Sequence, residues 1–170
     1  MRNLFKKATL VTLVASAALG AMATPSAFAG SKTASFDVTL TVQNDCSIAA
    51  NPMNFGSTGV LDQNLDQSSS LSVTCTKGTA YNVALDAGTA TGSTVAGRKL
   101  VNAGGDASVA FNLYRDAART QVWGMTTDTD TVSGTGTGAN QSLTVYGRVP
   151  SQDTPAAGTY SSTITATVVF

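Results

Sequence analysis

The sequence predicts an all-β domain, a sandwich of immunoglobulin-like shape, and three observations carry that prediction. Beyond residue 30 no stretch repeats apolar residues at helical spacing. Apolar and polar residues instead alternate in short runs, as a strand with one buried face requires. Clusters of Gly, Asn, Asp and Ser separate these runs and supply the turns.

The residues before that point read as an export signal. Arg2, Lys6 and Lys7 form a basic region, and the run from Ala8 to Ala23 is apolar and uncharged. Ala27-Phe28-Ala29 then gives the small-x-small pattern of a cleavage site, so residues 1–29 are a signal peptide and Gly30 starts the mature chain. Ala21-Met22-Ala23 is a second candidate site, which would start the chain at Thr24. The apolar run is short for a membrane span of about 20 residues. Three of the ten basic residues leave with the signal while all ten acidic residues stay; seven against ten gives a mildly acidic mature domain at −3. A basic nucleic-acid-binding face is therefore not expected. About 140 mature residues suit one domain with a sizeable core.

The first element, Ser35 to Gln43, alternates cleanly, with Phe36, Val38, Leu40 and Val42 on one face. A one-residue slip would turn Asp37, Thr39 and Thr41 toward that buried side, at the cost of burying polar groups. Asn44-Asp45 breaks the run, and Cys46-Ser47-Ile48 begins a short strand. Met53-Asn54-Phe55-Gly56 follows, and Gly56 to Ser70 reads as a polar connection. Leu71, Val73 and Cys75 share a face of the next strand. Lys77-Gly78 makes a turn, and Tyr81, Val83 and Leu85 face inward on the strand after it, so the pair predicts a hairpin.

Gly88 to Gly105 predicts a loop with a short strand around Arg98-Lys99-Leu100. Val109, Phe111 and Leu113 alternate, and Tyr114-Arg115-Asp116 ends that strand in a polar turn. Val122-Trp123-Gly124 is an apolar island, and Thr126 to Asn140 reads as an exposed loop. Leu143, Val145 and Gly147 make a strand, and a turn around Pro150 and Pro155 leads to a last strand from Tyr160 to the terminus. On it Tyr160, Ile164, Ala166, Val168 and Phe170 share a face. Six or seven strands result; alternation does not give their order.

Chemistry is scarce. His and Glu are absent, which removes the usual general base and metal ligand and leaves Asp as the only side-chain carboxylate. Two cysteines, Cys46 and Cys75, in an exported chain predict a disulfide closing a loop of about 30 residues, worth about 3.5 kcal/mol on the chain-entropy model. Asp128 and Asp130 lack the ligand spacing of a calcium loop, and the Gly-rich stretches lack a phosphate-binding Lys-Ser/Thr. Trp123 could stack on a sugar, but a lone aromatic suits packing better. No enzyme, cofactor or metal is expected.

Taken in order, Cys46, Asn54-Phe55-Gly56, Leu71-Ser72-Val73-Thr74-Cys75, Arg98 with Leu100, Phe111-Asn112-Leu113-Tyr114-Arg115-Asp116, Trp123-Gly124, Tyr146-Gly147-Arg148 and Ala157-Gly158-Thr159-Tyr160 resemble the spore coat protein U domain. That family includes subunits of Csu-type archaic chaperone–usher pili, and the resemblance covers essentially the whole mature chain. It implies an incomplete immunoglobulin-like β-sandwich completed by a donor strand. Residues 30–45 are then the donor-strand extension and residues 46–170 the pilin domain. Phe36, Val38, Leu40 and Val42 would insert into a neighbouring subunit. Ile164, Ala166, Val168 and Phe170 would border the groove and meet a periplasmic chaperone.

The resemblance further implies an outer-membrane usher, passage through the periplasm, head-to-tail assembly with other pilin subunits and a surface pilus serving attachment and biofilm formation. Head-to-tail donation is a non-closing interface, which makes filaments. The alternatives are a secreted, self-closed coat protein and a carbohydrate-binding sandwich. A two-domain tip adhesin would need a second domain for which the mature length leaves no room.

Overall fold

In a computed structural model, which describes residues 29–170, nine strands fold into two antiparallel sheets. The export signal read over residues 1–29 lies outside the described residues apart from Ala29. The strands are β1 (Cys46–Ala50), β2 (Leu65–Cys75), β3 (Ala80–Leu85), β4 (Arg98–Asn102), β5 (Ser108–Tyr114), β6 (Val132–Thr135), β7 (Asn140–Val149), β8 (Tyr160–Ser161) and β9 (Ala166–Val169). A six-stranded sheet has the order β1-β2-β7-β5-β4-β8, and a three-stranded sheet has the order β6-β3-β9. The predicted all-β sandwich is therefore the observed class.

Alternation selects the faces as expected. Leu71, Val73 and Cys75 on β2, Val109, Phe111 and Leu113 on β5, and Val145 and Val149 on β7 are buried from the large sheet. Tyr81, Val83 and Leu85 on β3 are buried from the small one. Trp123, fully buried, lies in the same core. Cys46 and Cys75 stand opposite each other in the β1–β2 register and form the predicted disulfide.

Several expected elements come out differently. The hairpin predicted across Lys77-Gly78 does not form: β2 pairs with β1 and β7, whereas β3 pairs with β6 and β9. The turn instead carries the chain from one sheet to the other, and Gly136 clamps it by accepting from Gly78 N–H and donating to the Thr79 carbonyl. The connection read over Gly56 to Ser70 already belongs to β2 from Leu65. There the long partner β7 extends the ladder, and Asp66 meets Arg148 across it. The loop read over Thr126 to Asn140 contains β6, whose Ser and Gly residues pair with β3.

The last strand changes sheets. Tyr160 and Ser161 pair with β4, Thr163 and Thr165 bond to Thr89 and Asp86, and Ala166 to Val169 then pair with β3. One segment thus closes against both layers. Ser35 to Gln43, predicted to alternate as a strand, has no sheet partner among the described residues.

Candidate functional site

The sandwich is open along one side. β1 ends the large sheet and pairs only with β2; β9 ends the small sheet and pairs only with β3. These two edge strands are spatial neighbours, and neither is hydrogen-bonded to the other. An exposed edge leaves N–H and C=O groups unpaired and invites another strand.

A groove of about 1100 Å³ enters the core beyond these strands, reaching β1 only at Ala50 and β9 only at Ala166. Its floor is Leu71, Leu85, Val109, Phe111, Val145 and Val149, drawn from both sheets. Its rim is the Ala50–Gly59 stretch on one side and Tyr160 to Ala166 on the other. None of the described residues lining it is charged. Met53, Phe55, Leu65, Leu100, Tyr160 and Ile164 are only half-buried, so apolar surface that a closed sandwich would cover remains accessible. Leaving that surface wet forfeits about 25 cal/mol per Å².

Two local features keep the groove in shape. Gly147 is buried on β7, and a side chain there would collide with Met53 and Phe55; its absence lets the rim segment lie down on the sheet. Phe55 then meets Phe111 edge-to-face at 6.3 Å, a favoured aromatic geometry. On the opposite side Arg98, with no exposed surface, binds the layers together. Its guanidinium donates to the carbonyls of Asp86 (2.8 Å), Leu85 (2.9 Å) and Trp123 (2.8 Å) and to Asn112 Oδ1 (2.7 Å). Burial pushes its pKa down to about 10, against the opposing pull of Asp86 and Asp130. The side chain is satisfied by carbonyls rather than by an ion pair, which makes it a structural strut.

Arg98 had no role in the sequence reading beyond its place in the motif set. Its signal was a single Arg inside a Gly/Thr/Ser-rich stretch, which identifies no partner.

The predicted partner-binding residues fall as follows. Phe36, Val38, Leu40 and Val42 are 86%, 84%, 86% and 71% exposed. They form a row of apolar side chains that is exposed among the described residues. Ile164 and Ala166 line the groove, Val168 packs half-buried against the core, and Phe170, read with them as one face, is 55% exposed. Phe170 lies past the end of β9, where the ladder to β3 has ended.

The weighed alternatives also find places. Trp123 cannot stack on a sugar: it is fully buried, and its indole N–H donates to the Val83 carbonyl at 2.8 Å. Asp130 accepts from Thr126 N–H, closing a tight turn beside Gly124. On the outer face of the large sheet Arg148 holds Asp66 in a two-pronged pair at 2.7 and 2.8 Å, with Arg119 close by at 3.4 Å. The hydrogen bond from Arg148 lowers the Asp66 pKa below its ordinary value.

Comparison with known proteins agrees with this architecture. The family model described as the Spore Coat Protein U domain matches residues 32–167. "Protein U" of Myxococcus xanthus is 33% identical over 178 residues, covering 96% of this chain and 98% of that protein. Among solved structures, a chain matches in the crystal structure of the CsuC–CsuE chaperone–tip adhesion subunit pre-assembly complex from archaic chaperone–usher Csu pili of Acinetobacter baumannii. Its TM-score is 0.58 at 23% identity, over 76% of this chain. The present chain spans 41% of the length of that one. The likeness carries the fold, an immunoglobulin-like sandwich.

Proposed function

The chain belongs to the Spore Coat Protein U domain family, and from that premise we propose that it is a structural subunit of a chaperone–usher pilus, polymerised by strand donation. One observation carries the reading: the same chain has an uncharged groove into its core near two sheet edges that lack a second strand partner, and an exposed extension with apolar residues at every second position. Residues 30–45 are the extension and residues 46–170 the acceptor domain. Phe36, Val38, Leu40 and Val42 of one copy fill the groove of the next, while main-chain hydrogen bonds satisfy its edges. Four such side chains contribute of order 6–12 kcal/mol before ordering costs.

Before assembly a periplasmic chaperone covers the same groove, meeting the segment that carries Ile164, Ala166, Val168 and Phe170. An outer-membrane usher then exchanges it for the next subunit. The product is an extracellular filament serving attachment and biofilm formation. The role is structural and non-enzymatic, with no cofactor and no nucleic-acid partner.

The deciding experiment deletes residues 30–43 from the mature chain and co-expresses the chaperone. The truncated subunit is expected to form the binary chaperone complex and to be absent from polymers. Loss of the binary complex, or normal polymerisation, refutes the assignment of the extension as donor.

A further inference from the structure

Residues 43–46 are tied down to the domain. Thr76 Oγ1 donates to the Gln43 carbonyl at 3.2 Å and accepts from Asp45 N–H at 3.2 Å. Thr76 N–H donates to the Asp45 carbonyl at 2.9 Å. Thr79, itself buried, donates its hydroxyl to Asn44 Oδ1 at 3.1 Å. The Cys46–Cys75 disulfide closes directly beside these bonds. Four residues are thus stapled to the turn after β2, whereas Leu40 and Val42 just upstream are exposed.

The sheet order gives this root a direction. β1 has β2 on one edge and β9 as its neighbour on the other, and the groove opens past its far end, from Ala50 onward. Every root hydrogen bond named above goes to Thr76, which continues β2, or to Thr79, which leads into β3, so the root prolongs β1 at the end opposite to Ala50, where the groove begins. The register also places the start of β1, the start of β3 and the end of β9 at one pole of the sandwich. From that pole, self-insertion would require a reversal within Gln43–Asp45. The inserted strand would then run antiparallel to β1 and parallel to β9, the slightly weaker pairing. A strand from another molecule needs no such reversal; because β1 and β9 run in opposite directions, it too is antiparallel to one of them and parallel to the other.

We propose that this root, held by Thr76 and Thr79, directs the extension away from its own groove and so selects a second copy of the chain as acceptor. The inference rests on the strand-donation reading above. Thr76 and Thr79 are positioning residues: neither lines the groove, and they set which groove the apolar row can reach.

The test uses the full mature chain with two changes made separately. Thr76→Val removes the hydroxyl at nearly constant shape. A Gly-Gly insertion between Gln43 and Asn44 adds slack while leaving every folded-domain side chain in place. After release from the chaperone, unboiled gels and size-exclusion chromatography measure the ratio of compact, protease-resistant monomer to ladder. Loss of one or two hydrogen bonds should raise that ratio about 2- to 10-fold in both variants.

Should Thr76→Val fold poorly, the insertion variant alone decides the matter. Wild-type ladders from the insertion variant overturn the proposed selection and leave strand donation standing. A wild-type chain that yields no ladder, and is unaffected by deletion of residues 30–43, overturns strand donation itself.

Discussion

Replacing Leu40 by alanine removes apolar surface from a side chain that is 86% exposed in its own chain. In the isolated domain such a change should alter stability by no more than about 0.5 kcal/mol. Inserted into the groove of a neighbour, the same leucine would lie against Leu71, Phe111 and other floor residues, where truncation of a buried Leu costs about 2–5 kcal/mol. One substitution is therefore expected to be nearly silent in the subunit and to weaken the inter-subunit contact roughly 30- to 4,000-fold.

The assay compares two guanidinium midpoints: unfolding of the chaperone-held subunit and dissociation of preformed ladders. Thr41→Ala, on the opposite face of the row, is the control and should leave both unchanged. Equal effects of Leu40→Ala and Thr41→Ala on the ladders would refute the register. Ladders indifferent to Leu40→Ala would refute the idea that this side chain fills the groove.

Cys46→Ser or Cys75→Ser should lower domain stability by about 3.5 kcal/mol and reduce subunit yield, measured by denaturant titration; an unchanged midpoint would count against this estimate. Arg98→Met should cost more than about 3 kcal/mol, because the carbonyls of Leu85 and Trp123 and the Asn112 amide oxygen lose their buried donor. Arg98→Lys should recover little of this, since an ammonium cannot reproduce the planar fork. Asp66 has its pKa lowered by Arg148, so its contribution is present above the ordinary value of 3.8 and lost as pH falls through the lower folded value. With Asp66 more than a third exposed, the loss should stay under about 1 kcal/mol; Asp66→Asn should flatten this part of an acid-unfolding profile.

Much of the fold was legible because alternation is a local property. Leu71, Val73 and Cys75, or Val109, Phe111 and Leu113, declare a buried face without reference to any other strand. Sheet membership is a long-range property, and the hairpin expected across Lys77-Gly78 shows the difference. The turn is real, yet β3 finds its partners some fifty to ninety residues downstream, in β6 and β9. Short polar strands such as β6 escape a reading based on apolar period, since Ser133 and Gly134 pair through their main chain alone.

The site divides in the same way. The apolar row at Phe36, Val38, Leu40 and Val42 and the disulfide pair Cys46 and Cys75 could be read directly, since residue type and spacing are all they require. Arg98 could not, because its partners are mostly main-chain carbonyls, which every residue carries. Thr76 and Thr79 looked like ordinary turn residues until the fold brought them against Gln43, Asn44 and Asp45.

By itself the sequence determined that this is an all-β, disulfide-bonded chain with an apolar row ahead of its first cysteine, since each of these depends on residue type and local pattern. Only the tertiary structure decided that β1 and β9 stay unpaired with each other, that a groove enters the core beside Ala50–Gly59, and that the row is exposed among the described residues. Whether an edge is paired and a core closed depends on which distant strands meet, and no local pattern encodes that.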